Sequence, residues 1–177
     1  MRTSAAARRA SRRGLFLAAA AVALGPWGRI DPAAAQGAVR QVFGEWQLRC
    51  ETPPGARREQ CALTAQVADK DRSDANVTVV VLKTADRKAN LIRIIAPPGV
   101  LLSAQLGLRV DNSDLGRIPF QHCLHYGCIA DAPMDDRLIQ QLRTGQTALF
   151  TIYFSPEEGI GFPVALKGFA EGFDKLP

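Results

Sequence analysis

Glu45-Trp46-Gln47-Leu48-Arg49-Cys50 alternates polar and apolar side chains without a break. Successive side chains of a strand point to opposite faces, so Trp46, Leu48 and Cys50 share one face and Glu45, Gln47 and Arg49 the other. That is the signature of a half-buried strand. Working outward, Pro53-Pro54-Gly55 and the charges up to Gln60 mark a loop. Cys61 to Val67 alternates again, with Cys61, Leu63 and Val67 on one face. Val77–Leu82 and Asn90–Ala96 are short apolar runs that suit central strands. Val100–Leu106, Leu108–Val110, Arg117–Cys123, Cys128–Ala132, Thr147–Phe154 and Ile160–Lys167 continue the pattern, divided by Pro, Gly, Asn and Asp. Gly107 is placed as a bulge or bend. The polar lead Gln36–Gln41 carries no strand signal. One segment has helical spacing: Met134, Leu138 and Leu142, with Asp135 and Asp136 in the first turn and Arg143 and Gly145 at the end. The expected fold is all-β, a β-sandwich, immunoglobulin-like or related, with one short helix near residues 134–143.

The first 35 residues read as an address rather than as fold. Ser11-Arg12-Arg13 precedes an apolar stretch from Leu15 to Leu24, and Ala33-Ala34-Ala35 offers a small-residue cleavage site. The paired arginines mark the twin-arginine variety of export signal. The expected organisation is therefore a cleaved export segment, 1–35, and a single sandwich domain, 36–177. No later stretch approaches the roughly 20 apolar residues of a membrane helix, so no membrane span is expected in the mature chain. The expected location is the periplasm, with association to the outer membrane or secretion as further options.

Removing this segment changes the charge. The whole chain has 22 basic and 17 acidic residues, a net of +5. Arg2, Arg8, Arg9, Arg12, Arg13, Arg29 and Asp31 precede the cleavage point, which leaves 16 basic and 16 acidic residues. A neutral mature chain removes the compositional argument for nucleic acid as a partner. Arg57-Arg58 is the nearest thing to a basic patch, but it reads first as a solvated loop tip.

Chemistry concentrates in His122-Cys123-Leu124-His125-Tyr126-Gly127-Cys128, which holds both histidines and two of the four cysteines. Four cysteines in an oxidising compartment read as two disulfides. Cys50 and Cys61 end and begin adjacent strands, so a Cys50–Cys61 bridge would staple that hairpin; Cys123–Cys128 would close a small loop. The competing reading is a zinc or copper site at His122, Cys123, His125 and Cys128. The adjacent His122 and Cys123 point to opposite faces of a strand, which suits one tetrahedral site poorly. A redox-active pair is a third reading, although four residues intervene where oxidoreductases usually have two. There is no Gly-x-Ser-x-Gly elbow, no His-Glu-x-x-His and no phosphate-binding Gly loop. Asp135-Asp136 and Glu157-Glu158 suit a helix start and a solvated turn. Trp46 reads as core. No catalytic residue and no cofactor is expected.

The ordered landmarks carry a resemblance. Phe43-Gly44-Glu45-Trp46-Gln47-Leu48-Arg49-Cys50, Cys61-Ala62-Leu63, Ile94-Ile95-Ala96-Pro97-Pro98-Gly99-Val100, Pro119-Phe120-Gln121-His122-Cys123 through Gly127-Cys128, and Pro163-Val164-Ala165-Leu166-Lys167-Gly168-Phe169 together resemble the invasion-associated locus B family. The family commonly has Ser before the final Leu-Lys-Gly-Phe, where this chain has Ala165. The resemblance implies an exported α-proteobacterial protein, periplasmic or outer-membrane-associated, linked in some pathogens to entry into host cells. It implies no established activity, cofactor or catalytic residue.

The residues thus point to a disulfide-stapled binding protein of the envelope, whose partner is a protein in the envelope or on a host surface. Its oligomeric state stays open. The Pro53–Gln60 loop with Arg57 and Arg58, and the Cys123–Cys128 loop with His125 and Tyr126, are the candidate contact regions. The alternatives are a metal- or redox-active protein centred on His122, Cys123, His125 and Cys128, and a carrier of an apolar ligand within the β core.

Overall fold

The computed structural model describes residues 37–177 except 57, 70–74, 85 and 87, so the export segment read from residues 1–35 lies outside the described residues. Alternation sets the first layer. Strands β1 (Ala38–Phe43), β2 (Trp46–Glu51), β3 (Gln60–Ala68), β4 (Asn76–Lys83) and β5 (Asn90–Ala96) run as an antiparallel meander. The chain then crosses to a second sheet for β6 (Leu106–Val110) and β7 (Ser113–Ile118), and returns for β8 (Phe120–Leu124) and β9 (Gly127–Met134). After helix α1 (Asp136–Thr144) it crosses again for β10 (Thr147–Ser155) and β11 (Glu158–Ala165), and ends in helix α2 (Phe169–Asp174). The result is a β-sandwich of a seven-stranded sheet, order β1-β2-β3-β4-β5-β9-β8, and a four-stranded sheet, order β11-β10-β6-β7.

The alternating positions meet between the sheets. Trp46, Leu48, Leu63, Val77, Val79, Val81, Ile92 and Ile94 come from the larger sheet, and Leu106, Leu108, Ala148, Phe150, Ile152, Phe162 and Val164 from the smaller. All are buried, and each Val, Leu, Ile or Phe removed from water contributes roughly 1.5–3 kcal/mol. No described side chain that is polar or charged is buried. The two helices close one end of this layer. Phe169 of α2 packs edge-on against Trp46 at 5.1 Å, Phe169 stacks on Phe173, and Leu142 of α1 is buried beside them. Lys83 reaches over the Phe173 ring and donates to the Leu176 carbonyl at 2.7 Å.

Several local expectations are corrected. Arg117–Cys123 is not one strand: β7 ends at Ile118 in the small sheet and β8 begins at Phe120 in the large one. Pro119 stands between them, where the chain passes from one sheet to the other and the missing N–H leaves no ladder donor unpaired. Val100–Leu106 holds a 3₁₀ turn at Leu102–Ala104 in place of a strand. The polar lead is edge strand β1, whose register slips between Val39 and Gln41. That slip puts Val39 and Val42 both on the outer face, opposite Arg49 and Gln47, so alternation is lost from the sequence. Met134 closes β9, and Asp135 caps α1 by accepting from the Leu138 N–H at 2.7 Å. The second helix, α2, forms because Phe169 and Phe173 find the open end of the core.

Candidate functional site

Both cysteine pairs face each other across hairpin ladders. Cys50 is the register partner of Cys61, and Cys123 of Cys128. Directly opposed residues of an antiparallel pair bring their Cα atoms close, and both pairs are bonded, with Cα separations of 4.0 and 3.9 Å. Cys50 and Cys128 are buried, Cys61 is half-buried and Cys123 is exposed. No described cysteine is free.

Sulfurs bonded to each other offer no thiolate, the form in which cysteine binds zinc or copper. His122 pairs with Ile129 in the ladder whereas Cys123 pairs with Cys128, so the two neighbours project to opposite faces. The other close grouping, Cys50, Glu59 and Cys61, has the same chemistry, and Glu59 already pairs with Arg40 at 2.5 Å.

The two candidate contact regions do not come together. The Pro53–Gln60 loop follows β2 at the end of the large sheet where β4 stops and β5 starts; the β8–β9 turn lies at the opposite end. The seven residues of β5, from Asn90 to Ala96, separate their rows, which at strand rise is roughly 20 Å. In the first loop the Ala56 N–H donates to the Pro53 carbonyl at 2.9 Å, and Arg58 is exposed. Arg57 lies outside the described residues.

The second region is built more firmly. The expected four-residue loop is a two-residue turn, His125-Tyr126, one residue pair above the Cys123–Cys128 bond. His125 and Tyr126 meet edge to face at 5.1 Å. Tyr126 is 55 % and Leu124 42 % exposed, so the tip offers an aromatic and an aliphatic side chain to solvent. Gly127 lets it sit close: a Cβ there would lie 2.5 Å from the Ala96 carbonyl oxygen. Behind the tip, Arg93 of β5 makes a two-pronged pair with Asp131 of β9, both contacts at 2.8 Å. The Asp131 hydrogen bonds hold the Arg93 guanidinium above its ordinary pKa, against a burial effect, with a smaller contribution from Tyr126.

Sequence reading missed Arg93 and Asp131, which lie 38 positions apart. A charge inside the apolar run Leu91-Ile92-Arg93-Ile94-Ile95 was the available signal. It also missed Arg117 and Tyr153, whose ring and guanidinium stack at 5.1 Å on the small sheet.

Comparison with known proteins gives the family and the fold. The family model for "Invasion associated locus B (IalB) protein" matches residues 46–177. The chain belongs to the invasion associated locus B family. It is similar to the invasion protein B homologs of Brucella abortus strain 2308 and of B. abortus biovar 1 strain 9-941. Each is 22 % identical over 139 residues, which cover 78 % of this chain and 79 % of the relative. The crystal structure of invasion associated protein B from Bartonella henselae superimposes with a TM-score of 0.62 at 23 % identity, covering 76 % of this chain and 93 % of that one. The sandwich with its few helices is thus the fold of a solved family member.

Proposed function

We propose that this member of the invasion associated locus B family is an exported, non-enzymatic binding protein of the bacterial envelope, and that its partner is a protein of the envelope or of a host surface. The observation that carries the reading is the β8–β9 tip. A disulfide locks the two strands one residue pair below a two-residue turn, and this tip holds Tyr126 and Leu124 out to solvent. Tyr supplies a large contact area at little cost in conformational entropy, and a covalently fixed hairpin lowers the ordering cost of binding. Family membership supports an association with invasion. The export segment read from Ser11-Arg12-Arg13 and the neutral mature charge support an envelope location and a protein rather than nucleic acid partner.

Replacing Tyr126 with a photo-crosslinking residue in the full chain, expressed in its native cell, tests this. Irradiation should yield one discrete protein adduct, absent when the same residue replaces the exposed Arg109 of the small sheet. Adducts of equal pattern from both positions would sink the reading, as would none from Tyr126.

A further inference from the structure

The small sheet carries a second feature, independent of the β8–β9 tip. An open cavity of about 440 Å³ lies where the 3₁₀ turn Leu102–Ala104 meets β7 and β10. Small-molecule sites commonly span ~300–1,000 Å³. Arg117 of β7 and Tyr153 of β10 line it, together with Ser103, Ala104 and Gln105.

The arginine is positioned from two sides. Its guanidinium lies over the Tyr153 ring at 5.1 Å, and its Nη1 donates to the Ala104 carbonyl at 2.6 Å. The ring is in turn seated on the backbone of β11: Tyr153 is the register partner of Gly159, and a Cβ on Gly159 would come within 2.8 Å of the ring. No carboxylate of the described residues is within ion-pair distance of Arg117. A guanidinium has five N–H donors in a rigid plane, and the Ala104 carbonyl takes only one of these groups. What remains is a fixed donor edge with no charge partner among the described residues, bordering a cavity.

Gln105 adds an independent sign. Its φ of 58° and ψ of 174° put a non-glycine residue in a region populated almost only by glycine. Such conformations cost about 1–3 kcal/mol and concentrate at ligand sites. Here the strained residue is part of the cavity wall.

We propose that this cavity is a binding site for a small organic carboxylate, held by the outward edge of the Arg117 guanidinium while its organic part lies against Leu101 and Tyr153. One guanidinium matches one carboxylate in charge and in its two parallel hydrogen bonds. A phosphate carries more charge than this single arginine balances.

The test uses the ¹⁵N-labelled full chain, with hippurate as probe and its uncharged amide, hippuramide, as control. Hippurate should shift the Arg117 Nε–H resonance and the amides of Ser103 to Gln105 in a saturable way, whereas hippuramide should leave them in place. Arg117→Lys keeps the charge but loses the planar fork and should weaken hippurate binding about tenfold, in line with the ~1.4 kcal/mol of one such hydrogen-bonding advantage. Arg117→Gln should abolish binding while retaining the dispersed spectrum of the folded chain. Equal shifts from acid and amide, no saturation, or unchanged hippurate binding by Arg117→Gln would overturn the site. Inorganic phosphate that competes with hippurate at equal concentration and ionic strength would overturn the preference for carboxylate.

Discussion

The indole N–H of Trp46 donates to the backbone carbonyl of Ala165, 119 positions later, at 2.8 Å. This bond ties the second strand of the large sheet, β2, to the last strand of the small one, β11. The N–H of the same Ala165 donates to the Glu45 carboxylate at 3.3 Å, so neighbouring side chains hold both sides of one residue's backbone. Only the backbone of Ala165 enters these two bonds, so its side chain can change without breaking either. Trp46→Phe should therefore destabilise the fold by about 1–3 kcal/mol, the cost of a lost hydrogen bond plus an unpaired carbonyl. Trp46→Ala should cost about 3–5 kcal/mol through the added cavity. Ala165→Ser should stay within about 0.5 kcal/mol of the parent. Urea unfolding followed by near-ultraviolet circular dichroism measures all three.

The two disulfides should differ in what they contribute. Cys50–Cys61 spans 11 positions and Cys123–Cys128 spans 5. In the chain-entropy picture the longer loop contributes about 3 kcal/mol and the shorter about 2 kcal/mol. Paired replacement by Ala should follow that order in urea unfolding. The short loop should matter more for the tip: Cys123→Ala with Cys128→Ala should raise amide exchange at His125 and Tyr126 and leave the core strands protected. Equal protection at the tip with and without the bond would remove the argument that the disulfide organises it.

The acid limb of stability should depend on Asp174. Its carboxyl is held below the usual aspartate value of 3.8, chiefly by a hydrogen bond from Arg143, with smaller contributions from Lys83 and Lys175. A carboxyl whose folded pKa is depressed contributes stability that is fully present above its unfolded value and is lost as the pH falls through the folded one. The urea midpoint should thus show no Asp174-linked change above pH 3.8 and fall below it. Asp174→Asn should flatten that fall slightly, because the group is fully exposed and screened by solvent. Arg143→Ala should do more at every pH, since Arg143 also lies over the Phe173 ring at 5.1 Å.

What was legible in the sequence follows from range. Trp46, Leu48 and Cys50 alternate because each is buried on one face by the same sheet, so a local pattern reports a global layer. Leu138 and Leu142 report α1 in the same way. Strand β1 is illegible because its register slip turns Val39 and Val42 to one side and breaks the period of two. Helix α2 is six residues with Gly172 inside, too weak in propensity to be read; Phe169 and Phe173 hold it against Trp46. The functional features divide likewise. The His125-Tyr126 turn is local and could be read near its cysteines. The pairing of Arg93 with Asp131, and the stacking of Arg117 on Tyr153, depend on which strands neighbour each other, and no short pattern encodes that.

The chain crosses itself closely at one further place, and that contact gives a sharp test of packing. Gly44, with φ 61°, would put a Cβ 2.6 Å from the Lys167 carbonyl oxygen, and Gly168, with φ 92°, would drive one into the Phe43 carbonyl. Each glycine thus faces the peptide preceding the other, where the β1–β2 turn meets the segment entering α2. A backbone atom cannot swing aside as a side chain can. Gly44→Ala and Gly168→Ala should each cost about 1–3 kcal/mol, more than conformation alone. Gly116 is the control: its φ is 95°, but an added Cβ would meet nothing within 4 Å, so Gly116→Ala should cost only the conformational part, about 1 kcal/mol. Because both substitutions push apart the same two segments, the Gly44→Ala and Gly168→Ala double variant should lose less than the sum of the singles. A double-variant cycle in urea measures the difference, and strict additivity would show that the two contacts are separate.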